Sequence, residues 1–202
     1  MIAEAKPKPV KRPVEIFTQA EVNALLKACS RRGHSGVRNR ASLAVLYRSG
    51  IRISELLSLY PRDLDEDGGY LNVRLGKGSK QRFASMDPHG WAELNVWLER
   101  RRHQLGIGAN SPVICTLKGR PLDSSYFRQF MPRLAEKAGI TKRCHAHALR
   151  HTMASELRRE GVDIAIISRQ LGHSSIAVTA NYVQHLCPEE VAEKIRGRVW
   201  QQ

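Results

Sequence analysis

Leu171 to Tyr182 reads LGHSSIAVTANY. Ile164, Ile167 and Leu171 recur at helical spacing up to its first residue, and Gly172 and a serine pair follow within it. A glycine just past a periodic run ends a helix in the left-handed position, and a serine starts the next by capping it. The stretch is therefore a joint between two helices. Asp163 caps the first and Ser174 or Ser175 the second, which leaves His173 in the joint and Tyr182 on the following helix.

The same reading extends outward in both directions. A helix from about His147 to Glu160 stops at Gly161, and Pro188-Glu189-Glu190 opens a last helix over about 188–199, with proline in the first turn and acids beside it. In that helix Val191, Ile195 and Val199 form an apolar stripe suited to docking. Toward the N-terminus, Thr18 and Glu21 make a capping box ahead of Val22, Leu25, Leu26 and Cys29 at amphipathic spacing. Arg31 to Gly36 reads as a break. A second helix runs from about Arg38 to Ser49, with Leu43, Val45, Leu46 and Tyr47 buried, and ISELLSL begins a third after Gly50. YLNVRL (Tyr70–Leu75) and RFASM (Arg82–Met86) alternate as strands on either side of the glycine-punctuated loop GKGSKQ. A helix from Pro88 carries Trp91, Leu94, Trp97, Leu98 and Leu105. Pro112–Thr116 reads as a short strand, and a helix over Ser124–Ala138 is expected to kink or split at Pro132. The expected class is mostly α (α+β), with one small antiparallel sheet.

The 202 residues suit about one domain, large enough to bury a core without disulfides or metal. Lys plus Arg number 33 against 19 Asp plus Glu, a net charge of +14. Such a field draws polyanions, nucleic acid first. No apolar run is long enough to span a bilayer, and MIAEAKPKPVKRPVEIF has no apolar core of a signal peptide. No helix pairs a basic face with a bulky apolar one, which disfavours a membrane surface as partner. Cys29, Cys115, Cys144 and Cys187 are scattered, with no C-x-x-C pair, which suits reduced thiols in the cytoplasm. Residues 1–13, with Pro7, Pro9, Pro13, Lys6, Lys8, Lys11 and Arg12, read as a flexible basic arm.

The chemistry starts at HALRH, His147–His151. His147 and Arg150 share a helical face, joining an imidazole to a cation that can fork onto a phosphate. In GIRISELLSL, Arg52 stands beside the core, with Glu55 three residues on as its partner. GKGSKQR offers Lys77, Lys80 and Arg82 near two glycines that let a ligand approach. Cys144, His145, His147 and His151 resemble a metal cluster, but Ala148 stands where a zinc-helix glutamate would be, so no metal is expected. Two arginines, a lysine, two histidines and a tyrosine suit phosphoryl transfer to a protein hydroxyl. The cations neutralise the phosphate, an imidazole takes the phenol proton and the lysine protonates the leaving oxygen. The lack of clustered carboxylates argues against a two-metal nuclease.

GIRISEL, GKGSK, HALRH, LGHSS and NY stand in the order of the tyrosine recombinases, the phage-integrase-type family, and the chain resembles that family over about 18–186. Its length and layout are similar to the short fimbrial-switch DNA invertases. The resemblance implies a catalytic domain over 14–202 in which Arg52 and Arg150 clamp the scissile phosphate, with Glu55 supporting Arg52. Lys77 would be the general acid, His147 the acid–base, His173 a donor to a non-bridging oxygen and Tyr182 the nucleophile. Lys80, Arg82, Lys11 and Arg12 would contact DNA. It further implies a 3′-phosphotyrosyl intermediate without metal or cofactor, a double-stranded recombination site, a tetramer on DNA, a C-terminal helix that docks either on a neighbouring protomer or on its own chain, and a place in the cytoplasm at the nucleoid. Family members usually carry a helical DNA-binding domain ahead of this pattern, whereas here the pattern begins almost at once. The competing readings are a non-catalytic DNA-binding regulator on the same scaffold and a relaxing topoisomerase. All six catalytic positions hold competent residue types, which favours an enzyme over the regulator.

Overall fold

The computed structural model describes residues 16–74 and 81–173. The basic arm, Lys77, Lys80, Tyr182 and the last helix lie outside the described residues.

Phe17 is buried, and its amide donates to Thr152 Oγ1 at 2.9 Å, which pins the entry of the chain. Thr18 and Glu21 cap helix α1 (Gln19–Ala28) in the expected reciprocal box, and α1 buries Val22 and Leu25. Helix α2 (His34–Ser49) starts earlier than expected. Its buried side begins at Val37, so the turn before it is drawn into the helix, and only about 29–33 remains as connection. Leu43, Val45 and Leu46 are wholly buried, because α2 packs against α1, α3, α4 and α6.

Helix α3 (Ile53–Ser58) follows Gly50, and a three-residue 3-10 turn (Pro61–Asp63) leads into the sheet. Strands β1 (Leu64–Asp65), β2 (Tyr70–Val73) and β3 (Arg82–Ser85) form an antiparallel meander in that order, with Tyr70 opposite Ser85 and Val73 opposite Arg82. Helix α4 (Pro88–His103) is capped by the Asp87 carboxylate and sinks Trp91, Leu94 and Trp97 against α2. Trp97 Nε1 donates to Val113 O at 2.8 Å.

The expected strand at 112–116 reduces to one bridge, Cys115 with Pro121, because the chain turns back at 116–120 before a ladder can form. Val113 to Cys115 are nonetheless fully buried. Helix α5 (Ser124–Lys137) runs as one element with Pro132 inside it. Phe127, Met131, Leu134 and Ala135 bury one continuous stripe across the proline, and that packing holds the helix together. Helices α6 (Ala146–Arg159) and α7 (Ile164–Leu171) complete the described fold. Among the described residues no helix is long and apolar enough to cross a membrane.

Candidate active site

The site lies where α2 ends, α6 begins and α7 ends. Gly50 closes α2 in the left-handed conformation, φ 64°. A Cβ there would meet Met153 Sδ at 2.8 Å and Leu171 Cδ2 at 2.9 Å, so the glycine serves the close approach of α6 and α7 as well as the turn. The turn places Arg52 at the N-cap of α3. The Glu55 carboxylate accepts from the Arg52 backbone N–H at 2.7 Å and from Arg52 Nη1 at 2.9 Å. Glu55 is buried, while the Arg52 side chain is 40% exposed. A buried carboxylate thus anchors one side of a guanidinium that still reaches solvent.

Helix α6 carries His147, Arg150 and His151. Its first turn is capped by His145, whose Nδ1 accepts from the Ala148 N–H at 3.2 Å. Arg150 is buried at 1% exposure. Its Nη1 donates to Gly50 O at 2.6 Å, and its Nη2 to Leu171 O at 2.7 Å and His173 Nε2 at 2.8 Å. One guanidinium therefore ties together the ends of α2 and α7 and the joint after α7. A guanidinium only donates, so His173 Nε2 must accept, and the neutral ring carries its proton on Nδ1. His147 reaches solvent and sits edge to face with His151, ring centroids 4.4 Å apart.

The electrostatics follow from this crowding. His173 is pushed down to about 4, by burial first and then by Arg150, Arg52 and His147. His151 is pushed down to about 3, by burial and then by His147, His145 and Arg150. His147 is lowered by partial burial, Arg150, His145 and Arg52. All three imidazoles are neutral at pH 7, and a neutral imidazole can take a proton. Arg52, His147, Arg150 and His173 thus share one patch, close enough to perturb one another. Among the described residues no group of three or more His, Cys, Asp or Glu is placed to hold a metal ion.

Arg82 stands where the expected strand RFASM places it, beside the basic loop. It opens β3, and strand alternation puts it on the same side as buried Ala84, while Phe83 points out at 56% exposure. Its side chain is 11% exposed; Nη2 reaches Glu55 Oε2 at 2.8 Å and Nη1 reaches Gln170 O at 2.7 Å. That period-two alternation was the available signal. Gln170 was not expected at the site. Its amide donates to Ser49 O and Ser85 O, both at 2.8 Å, and accepts from Ser85 N–H at 3.0 Å. Lys77, Lys80, Tyr182, Lys11 and Arg12 fall outside the described residues.

Residues 15–187 match the Phage integrase family. The chain belongs to that family. It is 39% identical over 167 residues to the tyrosine recombinase XerC of Xanthomonas axonopodis pv. citri, a match covering 81% of this chain and 53% of the relative. With the XerC of Lactobacillus delbrueckii subsp. bulgaricus it shares 33% identity over 187 residues, 89% of this chain and 62% of the relative. The integrase-family chain thus spans little more than half of these relatives. Among solved structures, the XerA recombinase superposes with a TM-score of 0.78 at 28% identity, over 97% of this chain and 68% of that one. The XerH site-specific recombinase bound to difH substrate, a pre-cleavage complex, gives 0.72 at 26% identity, over 89% of this chain and 52% of the other.

Proposed function

We propose that the chain is the catalytic part of a site-specific DNA recombinase that cuts and rejoins strands through Tyr182. The observation that carries the reading is the convergence of Arg52, His147, Arg150 and His173 on one patch, with Arg150 bonded to His173 at 2.8 Å. A phosphodiester at this patch meets the half-exposed Arg52 and the fixed charge of Arg150, which together stabilise the extra negative charge of a pentavalent phosphorus. The His173 Nδ1–H donates to a non-bridging oxygen.

In the reaction the Tyr182 hydroxyl attacks phosphorus and gives its proton to neutral His147. The new bond is a 3′-phosphotyrosyl ester; the bond that breaks runs from phosphorus to the 5′ oxygen, which takes a proton from Lys77. Attack by the 5′ hydroxyl of a second strand reverses both steps, so the ester energy is kept and neither metal nor nucleotide is consumed. The partner is double-stranded DNA carrying a recombination site, bound by several copies of the chain, four in a full synapse. The setting is the cytoplasm, at the nucleoid, where the net charge of +14 favours DNA.

A nicked duplex that loses its short downstream strand on cleavage tests the reading. A covalent adduct on the 3′ end is expected to form in EDTA and to vanish in Tyr182→Phe. An adduct that survives that substitution, or one that EDTA abolishes, overturns it.

A further inference from the structure

Glu55 is buried at 4% exposure, yet it accepts from two different arginines: Arg52 Nη1 on Oε1 and Arg82 Nη2 on Oε2. The second arginine also donates to Gln170 O, the carbonyl one residue before the Leu171 carbonyl that holds Arg150. Arg82 thus touches the supports of both arginines of the site. The strand it opens is the edge of the sheet, and an edge strand leaves backbone groups unpaired. Gln170 supplies the missing partner: its amide pairs with both the N–H and C=O of Ser85, as a neighbouring peptide would, and its Nε2 also reaches Ser49 O at the end of α2. Gly172 fits this arrangement, because a Cβ there would fall on Arg82 Nε and Cδ.

We propose that Arg82 is a positioning residue for DNA cleavage, one that fixes Arg52 through Glu55 and Arg150 through the end of α7. This rests on the reading of the site as a recombinase centre. Arg82 contacts no substrate in this scheme. It locks β3, α3 and α7 together so that the two guanidinium groups meet a phosphate without first reorganising. A lone Arg52–Glu55 pair would leave one carboxylate oxygen without its cation, and the end of α7 would be tied to the sheet through the Gln170 amide alone.

The test is single-turnover cleavage by the whole chain. The probe is a nicked duplex whose core is selected from randomised sequence by covalent capture on the wild-type chain. The rate is measured at saturating DNA with a 5′ oxygen leaving group and with a 5′-bridging sulfur, which departs without a proton donor. For Arg82→Gln the saturating rate is expected to fall about 100-fold with both leaving groups, the loss typical of an ångström-scale misplacement. Noncovalent affinity and its salt slope are expected to stay at the wild-type values. Lys77→Ala, by contrast, is expected to recover on sulfur.

Three outcomes overturn the proposal. A wild-type rate means that Arg82 positions nothing. Recovery on sulfur assigns it to the proton donor instead. Weaker binding, with the salt slope reduced by about one and the saturating rate unchanged, makes it a phosphate contact. If Arg82→Gln does not fold, Arg82→Lys is read the same way, since an ammonium keeps the charge but cannot bridge Glu55 and Gln170 O at once. Tyr182→Phe separates the two levels. Loss of the adduct in that variant upholds the recombinase reading whatever Arg82 does, and persistence of the adduct sinks that reading itself.

Discussion

Arg150→Ala should damage the fold as well as the chemistry, and Arg52→Ala should damage the chemistry almost alone. Arg150 is 1% exposed and donates to the carbonyls of Gly50 and Leu171, both in buried residues. Truncation strands two acceptors at about 1–3 kcal/mol each. Water entering the vacated space and the removal of a desolvated charge return part of that, leaving a net loss of about 3 kcal/mol. In a chain of this size that lowers the melting temperature by roughly 6–12 °C. The Arg52 side chain is 40% exposed, and without it Glu55 keeps Arg82 and the residue-52 N–H, so the loss there should stay below about 1 kcal/mol. Urea unfolding of both variants, with NMR titration of His173, makes the comparison. His173 is expected to titrate above its present value of about 4 in Arg150→Ala, because one depressing cation is gone while burial remains. Equal stability losses in the two variants, or an unmoved His173, would refute the assignment of Arg150 as the tie between α2, α7 and the joint.

Other consequences are independent of that pair. Gly172→Ala combines left-handed strain with a collision against Arg82, so its cost should fall to about 1 kcal/mol, the strain alone, in an Arg82→Ala background; additive losses in a urea double-mutant cycle would contradict the packing. His147, His151 and His173 have folded values lowered from the ordinary 6.5, so the unfolded chain binds protons first on acidification. Stability should therefore be level above about pH 7 and decline from about 6.5 toward 4, and a urea midpoint flat across that window would count against buried neutral imidazoles. A bound phosphate favours the protonated rings, so affinity for DNA should rise over the same interval, as measured by fluorescence anisotropy at constant salt. Arg52→Ala should slow adduct formation by roughly 100–1000-fold, read on the nicked duplex, and a near-normal rate would remove it from the phosphate site.

The features legible in the sequence were those with local causes. The Thr18–Glu21 box, the Asp163 cap and the Gly172 stop are written in adjacent residues, and the structure shows each as a cap. The pairing of Arg52 with Glu55 follows from three-residue spacing at a helix start. What escaped depends on tertiary partners. Of the two outcomes expected at Pro132, the split is absent because a buried stripe spans the proline, and β1 is only two residues long, too short to alternate. Arg82 was read at the start of a strand but grouped with the cations of the neighbouring loop, and its alternation with Phe83 and Ala84 puts it on the inward side. Gln170 left no trace in periodicity, because its role is to complete an edge strand from 85 residues away. Arg150 was visible as a cation, but its burial under three acceptors needed α2 and α7 in place.

Whether Arg52, Arg150 and His173 serve a single phosphate is decided by a crystal structure of the Tyr182→Phe chain on an uncleaved duplex bearing its selected site. One backbone phosphate is expected to have both guanidinium groups and the His173 ring within hydrogen-bond distance of its non-bridging oxygens. Arg52 and Arg150 on different phosphates, or a duplex seated away from the Gly50–His173 junction, would contradict it.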